Sequence, residues 1–234
     1  MLPPGQVPRA DFPRFGLTQY AECYPARPRD PSLSINVLGA EPFVLTDALA
    51  DLPRVTHDAD FHCVTTWSTL GLRWGGVRFS VFFADRIAPR IGNAGKVFGV
   101  VLRAQDGYRT TMLLEDLLAD DVMLADELNG EPLSVEHGAP LRLVAPQHYG
   151  YKSLKHLAKL EFVSSEPVVK RGLLAFLDHP RARVAREERG RWLPGWILRR
   201  LYRPLIPSTA ARFRRGMLTR EPSAGGTSDA QVRN

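Results

Sequence analysis

The chain has 234 residues, 44% of them apolar and 9% aromatic, which suits one large folded domain and excludes a disordered chain. Two cysteines rule out a disulfide framework, and no run of about 18 apolar residues offers a membrane span. The net charge of +6 is lopsided: residues 170–220 hold 14 Lys/Arg against 3 Asp/Glu, leaving 17 against 22 elsewhere, so a mildly acidic body carries a strongly basic segment.

Residues 1–31 carry Pro3, Pro4, Pro8 and Pro13 with charges between them and are expected to run extended over a surface. No signal-peptide-like apolar core fits there, so the cytoplasm is the expected compartment. Ser34–Gly39 alternates polar and apolar residues as a half-buried strand does. Thr46-Asp47 ahead of an apolar stretch predicts a short capped helix stopped by Pro53. Cys63–Trp67 has strand composition, and Trp74-Gly75-Gly76 reads as a turn. Phe79, Phe82, Phe83 and Ile87 fall on one face of a helix ending near Pro89. Beyond it come a strand over Val97–Leu102, an Asp106-Gly107 turn, a short helix over Leu113–Leu118 and a strand over Val122–Leu128 closed by Asn129-Gly130. Leu141–Val144 reads as a strand, Ser153–Lys159 as one or two helical turns and Leu160–Val163 as a last strand. Short strands broken by turns predict a β-rich α+β domain over 32–166. In the basic extension, 167–221, proline-separated helices are predicted over Val168–Leu177, Trp196–Tyr202 and Thr209–Leu218, and the Ser/Gly-rich end 222–234 is expected to be disordered.

Cys63 is the residue on which a chemistry turns. In an apolar segment a single cysteine is ordinarily a small buried hydrophobe; as a thiolate it is a soft metal ligand that needs nearby positive charge or a metal. Zinc lacks a second ligand pair at the right spacing, and a nucleophile paired with His57, His62 or His137 lacks a motif. His137 and Arg142 flank a Gly-x-Pro turn, either a solvated turn or a phosphate fork with a second donor. Gly150–Lys155 offers a glycine, a hydroxyl and two lysines, either a basic surface or a place for a phosphate oxygen.

Together these segments resemble the sulfite oxidase-like molybdopterin oxidoreductases. The resemblance runs over roughly 32–166: Cys63-Val64-Thr65-Thr66-Trp67-Ser68, then Trp74-Gly75-Gly76, Leu128–Leu133, His137–Arg142 and Gly150–Lys155, in that order. It implies a β-rich fold of that type holding a molybdenum–molybdopterin cofactor. By the same resemblance Cys63 is the metal ligand, His137 and Arg142 contact the pterin, and Ser153, Leu154 and Lys155 hold its phosphate end. Arg14 and Phe15 are the candidates from the N-terminal arm. Where sulfite oxidases carry an arginine-rich run after the cysteine, this chain has Val64-Thr65-Thr66, which counts against sulfite as substrate.

The implied activity is oxygen-atom transfer with a small sulfur or nitrogen compound. No haem segment is seen, so electrons are expected to pass through a separate protein. For the basic extension three readings stand: a solvated arginine face, a dock for an acidic redox protein, or contact with an anionic membrane. Nucleic acid is not expected, because no binding fold accompanies the charge. The rival to an enzyme is a binding module of the same fold that recruits an acidic partner through this extension.

Overall fold

The structure, a computed structural model, describes residues 2–23, 32–37, 41–91, 97–167 and 178–218. The helix predicted over Val168–Leu177, the tail beyond 221 and the end of the strand predicted to reach Gly39 lie outside these residues. Eleven strands among them form two sheets. In chain order they are β1 (Val7–Arg9), β2 (Leu33–Val37), β3 (Phe43–Leu45), β4 (Val55–His62), β5 (Trp67–Arg78), β6 (Gly99–Ala104), β7 (Arg109–Leu113), β8 (Met123–Leu128), β9 (Glu131–Pro132), β10 (Arg142–Val144) and β11 (Leu157–Val163).

The first sheet is built on β5. One edge of β5 pairs antiparallel with β4; the other takes β1 in parallel at Trp67–Thr69 and β8 at Trp74–Arg78, with β10 beyond β8. The second sheet runs β3-β2-β11-β6-β7. The alternation expected from Ser34 onward is seen in β2, where Leu33, Ile35 and Val37 are buried and the residues between are half-buried. These side chains join Phe79, Phe82, Ile87, Leu102, Leu124, Leu143 and Leu160 in the main core. The phenylalanine face is helical as predicted: α1 (Phe79–Phe82) widens into a π turn over Phe83–Ile87 and tightens into a 3-10 turn over Ala88–Arg90 around Pro89. Next come α2 (Leu114–Leu117), α3 (Gly195–Tyr202) and α4 (Ile206–Leu218), the last with Pro207 in its first turn, where a missing N–H costs no intrahelical bond.

Four local expectations fail for identifiable reasons. Trp74-Gly75-Gly76 is no turn but the middle of β5; a Cβ on Gly76 would lie 2.1 Å from the Leu124 carbonyl oxygen, so the glycines let β8 approach. Thr46–Leu52 forms turns instead of a helix, because Asp51 takes φ 59° and so few residues cannot sustain helix nucleation. Ser153–Lys159 is not helical: His156 sits at φ 54°, donates its N–H to Gly138 O at 3.1 Å, and β11 starts at Leu157. Cys63–Trp67 is the connection between β4 and β5, with Trp67 already in β5.

The N-terminal arm also departs from a surface run. Val7–Arg9 is a strand of the first sheet, and Arg14 is buried.

Candidate active site

The turn that carries Cys63 is tight. Thr66 N–H donates to Cys63 O at 3.1 Å and Cys63 N–H to Trp67 O at 2.8 Å. Thr66 is buried at φ 90°, a conformation that costs a β-branched residue on the order of 1–3 kcal/mol and persists only where the surroundings impose it. Here three distant segments impose it. From the arm, Gln6 Nε2 donates to Cys63 O at 3.1 Å and Val7 N–H to Thr66 O at 2.9 Å. Gly150 N–H donates to His62 O at 2.7 Å; a side chain on Gly150 would strike the Phe61 ring. From the basic extension, Arg189 donates through Nη1 to Val64 O at 2.5 Å and through Nη2 to Pro4 O at 3.1 Å, with its guanidinium 4.9 Å over the Tyr149 ring.

Arg189 is fully buried. Replacing it with alanine is expected to lower stability by about 3 kcal/mol, because two carbonyls lose a charged donor in the interior. In a Cys23→Ser background the same change is expected to speed alkylation of the Cys63 thiol at least about tenfold, each 1.4 kcal/mol of easier opening being a factor of ten. A urea titration and a timed iodoacetamide reaction measure the two effects.

Cys63 Sγ lies 3.1 Å from Thr65 Oγ1, and burial pushes the thiol's pKa up, with the Thr65 hydrogen bond and the charges of Arg189 and Arg9 opposing. No histidine ring hydrogen-bonds to it among the described residues. His62 is turned to Ser68 Oγ at 2.8 Å, and Ser68 in turn donates to Gln6 Oε1 at 3.0 Å, so His62 is a packed structural ring.

Cys63 opens onto a cavity of about 360 Å³. Ser153, Leu154, Lys155 and His156 form one wall; Arg14 and Phe15 form another with Phe12, Phe61 and Trp67. Tyr202, Leu205, Thr209 and Phe213, from the basic extension, close a third side. Thus Cys63, Ser153, Leu154, Lys155, Arg14 and Phe15 come together. His137 and Arg142 do not line this cavity.

His137 lies behind Phe12, the rings stacked at 4.9 Å and 4°. Burial, then the charges of Lys155 and Arg142, lower its pKa to about 4, and its buried Nδ1 has no hydrogen-bond partner among the described residues. Arg142 is fully buried, its guanidinium 4.6 Å over Trp74 and donating to His137 O at 2.8 Å and Ser153 O at 3.3 Å. It ties the two loops together from behind the wall. Arg14 donates to the carbonyls of Ala21, Tyr20 and Cys23 at 2.6–2.9 Å and lies 5.0 Å over Phe213. Ser153 Oγ accepts from Ala145 N–H at 3.1 Å. Lys155 Nζ donates to Glu136 O at 2.8 Å, and burial, then Arg142 and Arg14, bring its pKa to about 7. His156, also lowered to about 4 by burial, points Nδ1 at Ala139 O at 2.8 Å; as a neutral ring it donates there and leaves Nε2 an acceptor.

Sequence reasoning missed Gln6, Arg189 and the four residues from α3, α4 and the turn between them. No local pattern sets Arg189 apart from its neighbouring arginines.

An oxidoreductase molybdopterin-binding domain model matches residues 22–169. The chain belongs to that family. Over 110 residues it is 44% identical to the uncharacterized oxidoreductase YuiH of Bacillus subtilis, an overlap of 47% of this chain and 53% of YuiH. To the protein-methionine-sulfoxide reductase catalytic subunit MsrP of Xanthomonas campestris it is 32% identical over 116 residues, 45% of this chain and 35% of MsrP. The crystal structure of the sulfane dehydrogenase SoxCD from Paracoccus pantotrophus superposes with a TM-score of 0.51 at 26% identity, covering 61% of this chain and 40% of that one. The chain therefore spans about half or less of each relative's length. The fold is the β-rich single domain of the sulfite oxidase-type molybdopterin-binding family, as the resemblance implied. Gln6 and Arg189, which clamp the Cys63 turn, lie outside the matched segment.

The residues fit the family's cofactor. Five basic side chains (Arg14, His137, Arg142, Lys155 and His156) crowd beside the cavity, and burial first, then the charges of Arg142 and Arg14, push Lys155 toward neutrality, a setting that an anion would relieve. The sulfur of Cys63 is the soft donor such a metal takes.

Proposed function

We propose that the protein is a molybdopterin-dependent oxidoreductase that transfers an oxygen atom to or from a small sulfur- or nitrogen-containing substrate and exchanges electrons with a separate protein. The observation that carries this reading is the strained, three-way-clamped turn that presents Cys63 Sγ to a cavity walled by Lys155 and His156. When bound, the molybdenum–pterin group supplies the two-electron oxygen-atom chemistry. Among the described residues no three His, Cys, Asp or Glu side chains converge on one point, so of these residue types Cys63 is the one that would hold the metal, in company with the cofactor.

Cys63 would hold the metal as thiolate, and the cation would offset the burial that otherwise keeps the thiol protonated. Lys155 would meet the phosphate end, with the Ser153–Leu154 backbone as the floor. Arg14 contributes positive charge at a distance, since its donors are already engaged, and Phe15 contributes an apolar wall. Arg142 and His137 would support the bed from behind. A panel of S-oxides and N-oxides, assayed with a reduced viologen on metal-loaded protein, tests the reading. Turnover of at least one, lost with the cofactor, supports it; metal-loaded protein inert to the whole panel and to the corresponding sulfides and amines overturns it.

The pKa of Lys155 yields a pH prediction. An anion favours the charged lysine and raises its pKa above 7, so binding takes up a proton near and above pH 7. Affinity for the phosphate end is expected to fall as pH rises through 7 and beyond, and to lose that dependence in Lys155→Met. Calorimetry in buffers of different ionisation enthalpy measures the proton count. For the protein without cofactor the sign is opposite. The folded lysine titrates near 7 and the unfolded one near 10.5, so the unfolded chain holds more protons between those values. The burial penalty of Lys155 is complete below pH 7 and fades toward 10.5.

A further inference from the structure

From Gly190 to Pro207 every residue is Gly, Pro, Arg, aliphatic or aromatic; the stretch contains no carboxylate, amide, hydroxyl of Ser or Thr, or lysine. It comprises the approach to α3, α3 itself and the turn into α4. Among the described residues five of the ten exposed large apolar side chains fall within it: Trp192, Leu193, Trp196, Leu201 and Leu205. Trp192 and Trp196 are 65% and 53% exposed. Arg200 and Arg203 are exposed between them, and Arg212 and Arg214 continue the surface along α4. None of these four arginines forms an ion pair with a described residue; of the body's exposed arginines, Arg54 and Arg73 are paired with carboxylates, whereas Arg90 and Arg109 are not.

We propose that this face docks the protein on an anionic phospholipid surface, with the indoles and leucines in the interfacial layer and the arginines on lipid phosphates. Two physical arguments select lipid over an acidic protein. A specific protein interface needs matched hydrogen bonds, about one per 100–200 Å², and this stretch offers few side-chain groups besides guanidinium and indole N–H to make them. The interfacial zone of a bilayer asks for cations, indoles and hydrocarbon in no fixed geometry, which is the inventory present. The same helices wall the Cys63 cavity through Tyr202, Leu205, Thr209 and Phe213, so docking sets that cavity beside the bilayer. The proposal does not depend on the metal reading.

The test is co-sedimentation of the purified full chain with vesicles of phosphatidylcholine alone or mixed with phosphatidylglycerol, with tryptophan emission recorded in parallel. Binding to the mixed vesicles with a blue shift, weak binding to phosphatidylcholine, and release at high salt are expected. Trp192→Ser/Trp196→Ser removes the blue shift and weakens binding. Arg200→Glu/Arg203→Glu weakens it more than about tenfold, at about 1 kcal/mol per charge near the surface. All four residues are outside the cavity, and unchanged circular dichroism melts certify the fold of each variant. Equal binding to both lipid compositions, or none to either, overturns the proposal. So does arginine-dependent binding to an immobilised acidic flavodoxin without vesicle binding, which assigns the face to a protein.

Discussion

Cys63→Ser is expected to leave the cofactor host-made but unheld: protein from a host proficient in molybdenum cofactor synthesis should fall from about one molybdenum per chain to under about a tenth. Outer contacts of a metal site already change affinity 10–100-fold, and the sulfur is a direct ligand in this reading. The fold should survive the change. A serine hydroxyl at this place keeps Thr65 Oγ1 within reach, so stability should shift by no more than about 1–2 kcal/mol. Elemental analysis beside a urea titration separates the two effects. Full molybdenum in the serine variant would remove Cys63 from the site; an unfolded variant is recognised by the titration and is replaced by Cys63→Ala.

The second large effect belongs to Arg142. By resemblance this arginine contacts the pterin, but its guanidinium is enclosed between Trp74 and the carbonyls of His137 and Ser153. Burial lowers its pKa to about 9. Arg142→Ala is therefore expected to destabilise the cofactor-free protein by about 4 kcal/mol, since buried acceptors lose a charged partner and a void opens beside Trp74. Lys155→Ala, on the cavity wall, removes a lysine whose burial is unfavourable, so the cofactor-free protein should be no less stable and the change should act mainly on cofactor retention. Urea midpoints of the two cofactor-free variants decide the matter. Equal midpoints would return Arg142 to a role in direct contact with the cofactor.

Much of the frame was legible. The alternation in β2, the phenylalanine face of α1 and its continuation, and the Asp106-Gly107 and Asn129-Gly130 turns are patterns with a period or a required φ, and the structure keeps them. Gly107 and Asn129-Gly130 all take positive φ. The misreadings share a cause. Gly75 and Gly76 looked like a turn because glycine's permissiveness is a local property, while the reason for them here is the approach of β8. Val64-Thr65-Thr66 looked like strand because β-branched composition cannot reveal that Gln6, Gly150 and Arg189 hold Thr66 at φ 90°.

The sequence by itself determined the β-rich domain, the family and the order of the segments that surround Cys63, since periodicity and motif order are properties of neighbouring residues. Tertiary structure alone decided which basic groups face the cavity, that Arg142 braces it from behind, and that the arm and the basic extension belong to the cysteine turn. Arg189 reaches a carbonyl 125 positions away and another 185 positions away. Such partners are chosen by packing and by the demand that buried carbonyls be satisfied, and no spacing within the chain encodes that choice.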